Sequence, residues 1–193
     1  MLSIYNYMAS GVLLTGIVAL AFAASGFAAT VMTGGPLSWI IMLSPLAFVL
    51  AMSFGANKFS AGTLQAMFWA YAGVMGLSLS TIFLVYTGES IALTFFATAG
   101  AFAGLSLWGY TTKKDISGWG SFLIMGVVGL IIASLLNAFL IGSPGLELAI
   151  SALGVLIFAG LTAYDTQRLK AEYAHTRGTP YAKKAIILGA LSL

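Results

Sequence analysis

Long apolar runs, broken by short stretches of glycine, proline or charge, dominate this sequence of 193 residues. Each run is about 20 residues long, the length that an α-helix needs to cross the hydrocarbon core of a bilayer. The runs lack the alternation of apolar and polar positions that the strands of a membrane β-barrel require. Only helices and closed barrels satisfy their backbone hydrogen bonds in lipid. The pattern therefore predicts an all-α integral membrane protein, folded as a helical bundle.

Six complete spans and the start of a seventh are predicted. The approximate bounds of the six are 8–32, 37–54, 63–86, 90–111, 119–141 and 147–167. A further apolar stretch, from about Ala185 to Leu193, is too short to cross a bilayer, so we interpret it as the first turns of a truncated seventh helix. The chain 1–193 is expected to form a single transmembrane domain. Pro45 lies inside the second span and predicts a bend there, because proline removes a backbone hydrogen bond.

The charges are few and unevenly distributed. Hydrophobic residues make up 60% of the chain and charged residues only 7%, against about 25% charged in soluble domains. All of the basic residues fall in alternate loops: Lys58, Lys113, Lys114, Arg168, Lys170, Arg177, Lys183 and Lys184. Basic loops face the cytoplasm, so the N-terminus is predicted to be cytoplasmic. The net charge of +3 thus indicates topology, and no nucleic-acid partner is expected.

Asp165 is the main candidate for function. It lies where the apolar sixth span passes into a basic segment, and an ionisable residue at membrane depth is a functional hypothesis by default. Burial and a nearby cation both change how a carboxyl group titrates, so this position suits a proton sensor or gate. The alternative is an ordinary interfacial aspartate that pairs with Arg168 or Lys58. The sequence alone leaves both interpretations open.

The other candidate chemistry is sparse. Glu89 and Glu147 border the opposite membrane face, where they form either an acidic vestibule that attracts cations or ordinary charges at helix N-termini. The one histidine, His175, has no cysteine or second histidine to join it, so no metal site is expected. No paired nucleophile and base or phosphate-binding loop is present. We therefore expect a protein that is not an enzyme, with no catalytic residues and no cofactor.

Four segments together resemble a known family. They are Met75–Ser80 with Ile82–Phe83, Gly109–Asp115, Gly160–Gln167 and Ile187–Leu193. Their sequences and order resemble the bacterial branch of the Bax-inhibitor-1 family, a group of seven-span membrane proteins. The resemblance covers nearly the whole chain. It implies a bundle whose outer helices wrap a central seventh helix.

The resemblance also implies a function, a pH-sensitive leak of calcium or another cation through a bacterial inner membrane. In that family an aspartate at the position of Asp165 pairs with a second aspartate in the seventh helix and with a basic residue of the second span. Lys58 is the candidate for the basic residue, and the second aspartate is expected after Leu193, so we expect this stretch of chain alone to be inactive. The alternative function is a non-conducting regulator that binds other membrane proteins, such as a membrane-anchored protease.

Overall fold

The computed structural model describes residues 2–31, 34–176 and 178–193, and it is helical throughout its regular segments. The helices are α1 (Leu2–Ala24), α2 (Phe27–Val31), α3 (Pro36–Gly55), α4 (Ala61–Val85), α5 (Gly88–Thr111), α6 (Trp119–Leu136), α7 (Pro144–Thr176) and α8 (Ala182–Ser192). Six of them are long and apolar enough to cross a membrane, namely α1, α3, α4, α5, α6 with its extension to Ile141, and α7. The prediction of an all-α membrane protein is confirmed.

The first span differs from the prediction of 8–32. Helix α1 begins at Leu2 and ends at Ala24, and the buried side chain of Ile4 fixes its first turn against the core of the first unit. It ends where Gly26 adopts φ +76°, a left-handed conformation that glycine accepts without strain. The Ser25 hydroxyl donates to the Phe22 carbonyl at 2.6 Å and so closes this last turn. Met32, the predicted end of the span, lies outside the described residues.

The sixth span is longer than the predicted 147–167. Helix α7 runs from Pro144 to Thr176, where proline at the first position supplies a favourable φ and loses no helical hydrogen bond. The prediction ended the span where charge begins, but Asp165 and Arg168 pair along the helix and so keep the charged segment helical. Arg177 lies outside the described residues. Helix α8 begins at Ala182, three residues before the predicted start.

Backbone contacts divide the chain into two compact units. The first unit combines the residues up to Phe95 with Glu172–Leu193, and the second unit is Phe96–Ala171. That the whole chain acts as a single transmembrane domain stays a prediction. The apolar side chains on the outer faces of many helices are exposed, among them Phe54 at 83% and Phe139 at 81%. These surfaces suit contact with lipid, which is as apolar as they are.

The first unit has a core of large side chains. Its buried cluster consists of Ile4, Met52, Leu64, Phe68, Ile187 and Ala190. Phe68 packs edge-on against Tyr7 at a centroid distance of 6.0 Å and against Trp69 at 5.4 Å. Helices α1, α4 and α8 contact one another here. The short α8 is therefore part of the core of the first unit.

Pro45, where a bend is predicted, has a specific hydrogen-bonding arrangement around it, and the bend itself stays a prediction. Pro45 lies inside α3 and has no N–H, so the Ile41 carbonyl four residues earlier loses its usual helical donor. Two hydroxyls replace it: Ser44 donates to this carbonyl at 2.8 Å and Ser78, from α4, donates at 2.6 Å. The proline thus ties α3 to α4 through a serine of the Met75–Ser80 segment.

The turn between α6 and α7 is closed by Asn137. A π-helical segment, Asn137–Ile141, extends α6 and ends at Gly142, whose φ is +64°. The Asn137 side chain accepts a hydrogen bond from the Ser143 N–H at 2.9 Å and donates to the Ser143 carbonyl at 3.2 Å. The side chain therefore satisfies backbone groups in the turn, where no regular helical partner is available.

Candidate functional site

Asp165 lies in the C-terminal half of α7. Its Oδ1 atom is 3.2 Å from Nη2 of Arg168, one helical turn further on, and the side chain of Asp165 is 18% exposed while that of Arg168 is 47% exposed. The guanidinium of Arg168 also lies over the ring of Tyr164, 5.9 Å from its centroid. Because Arg168 is about half in solvent, the ion pair is worth at most about 1 kcal/mol. A change of protonation is therefore sufficient to break it.

Two side chains in the next turn of α7 form hydrogen bonds with the loop that follows α5 and with the end of α5. The Gln167 side chain accepts a hydrogen bond from the Ile116 N–H at 3.0 Å and donates to the Lys114 carbonyl at 2.8 Å. Lys170 donates to the Tyr110 carbonyl at 2.7 Å, with its ammonium 4.4 Å from the centroid of the Tyr110 ring. Three side-chain hydrogen bonds thus fix the loop and the end of α5 against one face of α7.

Glycines bring the same elements into close contact. A Cβ atom at Gly109 would collide with the backbone of Ala163, and one at Gly120 would lie 2.5 Å from the Tyr164 ring. Backbone atoms cannot rotate away as the end of a flexible side chain can, so a side chain at Gly109 forces α5 and α7 apart. The segments Gly109–Asp115 and Gly160–Gln167, which carry much of the family resemblance, therefore form one packed assembly.

Asp115 lies in this loop, outside the spans. Its carboxylate accepts hydrogen bonds from the hydroxyl and, at 2.9 Å, from the N–H of Ser117. These two bonds, the hydroxyl first, hold the pKa of Asp115 below its ordinary value. Its folded pKa thus lies below the unfolded value near ~3.9. The contact therefore contributes stability above that pH, and the contribution is lost as the pH falls through the folded pKa.

A cavity of about 500 Å³ opens between this loop and α7. Lys113 and Lys114 line it from the loop, and Tyr164, Gln167 and Arg168 line it from the helix. Asp115 is the one carboxylate among its lining residues. Three cations and one anion give the lining a formal charge of +2. We call this space the loop cavity.

A second cavity, of about 540 Å³, lies between α3 and α4 beside Pro45. Its lining is mostly apolar, and its polar groups are the hydroxyls of Tyr71, Ser78 and Thr81. Met42 and Leu46 at its rim are 55% and 57% exposed. The cavity is thus an open groove on the outer surface of the first unit.

The remaining predicted site residues have simple surroundings. Lys58 is exposed in the turn after α3, in the first unit, and its pairing with Asp165 stays a prediction. Glu89 lies in the first turn of α5 and Glu147 in the first turn of α7, where the positive end of the helix dipole favours a carboxylate. The acidic vestibule also stays a prediction. Within the described ranges, no three His, Asp or Glu side chains cluster as a metal site requires.

Sequence reasoning missed Gln167 and Lys170 as positioning residues. Both follow Asp165 on α7, at spacings that place Gln167 and Lys170 three residues apart on one face of the helix. The sequence did contain a sign of this role, namely two polar residues at helical spacing after the apolar part of the helix. Without the partner loop, however, nothing in the sequence indicates what this face contacts.

Comparisons with known proteins agree on one family. A family model described as "Inhibitor of apoptosis-promoting Bax1" matches residues 1–193. An uncharacterized protein of Caulobacter vibrioides is 48% identical, over all of this chain and 81% of its own length. Inner membrane protein YbhL of Escherichia coli is 44% identical, over all of this chain and 83% of its own length. Protein RP147 of Rickettsia prowazekii is 42% identical, over all of this chain and 81% of its own length.

Proposed function

This chain belongs to the Bax inhibitor-1 family, and from that premise we propose that it is a pH-sensitive leak pathway for calcium or another cation. Asp165 is part of its proton sensor, and Arg168 is the basic group that responds to it. The protein does not act as an enzyme; it moves a cation across the bilayer. It is a multi-pass protein of the bacterial inner membrane, the location that the name of its Escherichia coli relative gives.

The observation that carries the proposal is the depth of Asp165. It lies 21 residues after Pro144, the first residue of α7. At 1.5 Å per residue this is a rise of about 32 Å, close to the ~30 Å thickness of the hydrocarbon core. A helix that enters the core at Pro144 therefore brings Asp165 to the cytoplasmic edge, and Arg168 one turn further into the headgroup layer. There a carboxyl group exchanges protons with the cytoplasm and still acts inside the bundle.

The Asp165–Arg168 pair gives the sensor a defined response. Protonation of Asp165 removes the negative charge that holds the Arg168 guanidinium at 3.2 Å. Arg168 is then released to solvent or to the loop cavity, whose wall it already forms. One proton thus changes the charge of Asp165 and frees the Arg168 side chain to move at the cytoplasmic end of α7.

The test is calcium flux through the full-length protein in liposomes, measured from about pH 5 to pH 8. Asp165→Asn carries no charge at any pH, so its flux is expected to be constant and equal to that of the unmodified protein at the acidic end. Glu172→Gln is the matched control, because it neutralises an exposed acid on the same helix. The control should keep the original pH profile.

Two results contradict the proposal. An unchanged pH profile in Asp165→Asn would remove Asp165 from the sensor, even if the protein conducts. No flux from a protein that melts cooperatively would remove the leak itself. The second result would favour a non-conducting regulator that binds another membrane protein, such as a membrane-anchored protease, and crosslinking in the native membrane would then identify the bound protein.

A further inference from the structure

The loop cavity has the charge of an anion site. Lys113, Lys114 and Arg168 line a space of about 500 Å³ together with the single carboxylate of Asp115. That carboxylate is already engaged by the hydroxyl and N–H of Ser117. In the described part of the chain, neither lysine ammonium takes part in an ion pair, since the one pair found is Asp165–Arg168. The cavity therefore presents two cations that have no carboxylate partner.

The frame of the cavity is rigid. Gln167 binds the loop backbone on both sides of Asp115, at the Lys114 carbonyl and the Ile116 N–H. Lys170 fixes the end of α5 through the Tyr110 carbonyl. The backbone that carries the two lysines is thus held in place before any ligand arrives. A preorganised site loses less entropy on binding than a flexible loop does.

The cavity lies at the level of the membrane interface. Trp108 and Tyr110 at the end of α5 and Trp119 at the start of α6 are 44%, 40% and 50% exposed. Tryptophan and tyrosine concentrate at the headgroup level of a bilayer, and the loop that lines the cavity connects these two helix ends. Basic loops mark this face as cytoplasmic. A phosphate group at this level belongs to a lipid of the cytoplasmic leaflet.

We propose that the loop cavity binds the phosphate of an anionic phospholipid headgroup, with Lys113 and Lys114 as its charged ligands. Basic pockets at the cytoplasmic ends of membrane helices suit such headgroups. Arg168 supplies a third cation at the cavity wall, and the Tyr164 hydroxyl supplies a neutral donor. This proposal is separate from ion conduction, because it concerns a bound lipid whose charged ligands, Lys113 and Lys114, lie outside the Asp165–Arg168 pair.

The experiment compares phosphatidylglycerol with phosphatidylcholine, which has a phosphate but no net charge. The full-length protein, purified in detergent, is titrated with each lipid and the bound lipid is counted by native mass spectrometry. In parallel, brominated phosphatidylglycerol is used to quench tryptophan fluorescence in nanodiscs. We expect binding of phosphatidylglycerol in preference to phosphatidylcholine, and about a thirtyfold loss of affinity in K113Q/K114Q, since each of the two neutralised lysines near the surface is worth about 1 kcal/mol.

Two further variants make the result specific. K58Q/K183Q removes two exposed lysines of the first unit, outside the cavity and in segments that the charge pattern also predicts to be cytoplasmic, so it should bind as the unmodified protein does. K113R/K114R keeps the charge and should retain most of the binding. Melting temperatures in detergent check that all three variants fold.

Each outcome of these measurements either supports the proposal or overturns it. Equal losses in K113Q/K114Q and K58Q/K183Q would show a diffuse effect of surface charge and overturn the proposal. Equal binding of the two lipids would also overturn it. A third arm adds inorganic phosphate at millimolar concentration: if it displaces phosphatidylglycerol from the protein, the site takes free phosphate and the assignment to a lipid is wrong. Binding that persists in phosphate and fails only in K113Q/K114Q supports the proposal.

Discussion

The two units of this protein differ in the contacts that stabilise each of them internally. The first unit buries large side chains, with Phe68 at the centre of an aromatic cluster that includes Tyr7 and Trp69. The second unit brings helices together at glycines, where Gly109 lies against the backbone of Ala163. Its loop is then fixed by hydrogen bonds from Gln167. The first unit also has close glycine contacts, since a Cβ atom at Gly76 would lie 2.6 Å from the Thr15 carbonyl oxygen. Among the described residues, what sets the first unit apart is its cluster of large buried side chains.

Both kinds of contact suit a protein surrounded by lipid. Lipid is as apolar as leucine, so burying an apolar surface against another helix gains little by the hydrophobic effect. Stability then depends on close packing and on hydrogen bonds in a medium without water. Large interlocking side chains and close glycine contacts are two solutions to that problem. They should respond in opposite ways to removing and to adding atoms.

Removing atoms should damage the first unit most. Phe68→Ala deletes a ring that is 3% exposed at the centre of the cluster, and we expect a loss of about 3–5 kcal/mol in the free energy of unfolding. Phe54→Ala is the control, since Phe54 faces outward and is 83% exposed; its effect should stay within about 0.5 kcal/mol. Unfolding in detergent and denaturant measures both. Equal losses would mean that the aromatic cluster is not a core.

Adding one carbon should damage the second unit. In Gly109→Ala the new methyl group meets the Ala163 backbone, and we expect a cost of about 1–3 kcal/mol in the free energy of unfolding. Gly104→Ala, on the same helix, is the matched control, because the described structure has no atom within 4 Å of its new Cβ. The control should stabilise the helix by about 0.5–1 kcal/mol. Destabilisation of both variants to the same degree would argue against the close contact.

The smallest effect is expected at the loop. Gln167→Leu leaves the Ile116 N–H and the Lys114 carbonyl without their partner, but water reaches the loop, so the cost should be about 1 kcal/mol. The sharper readout is hydrogen exchange, in which the amide of Ile116 should lose protection while the helical amides of α7 keep theirs. Gln65→Leu changes an exposed glutamine of α4 and should leave the exchange of Ile116 unaltered.

Much of the fold was predictable because lipid imposes a simple rule on length and polarity. The spans of α3, α4, α5 and α6 lie within a few residues of their predicted bounds. The errors lie where polar residues are helical for reasons of packing. Tyr5 and Asn6 are helical beside the buried Ile4, and the charged end of α7 is supported by the pair of Asp165 with Arg168. Hydropathy carries no information about either contact.

Of the residues in the candidate site, Asp165 was the most predictable from the sequence. Asp165 stood out because a carboxylate beside an apolar span is rare and costly. Gln167 and Lys170 are ordinary near a basic loop, and their role depends on backbone groups more than 50 residues earlier in the chain. Gly109 was equally hidden, because a glycine in a membrane helix is common. Its importance appears only when Ala163 is seen opposite.

The hydrogen bonds that serine hydroxyls donate beside Pro45 bear on the rate at which α3 can change its angle. The Ile41 carbonyl is held by the hydroxyls of Ser44 and Ser78. A regular helix bends by lengthening bonds from backbone amides, whereas here a change of angle requires only that two hydroxyls turn about single bonds. Side-chain rotations are among the fastest motions of a protein, on the picosecond to nanosecond scale. A change of angle in α3 at this point therefore breaks no helical backbone hydrogen bond at Ile41.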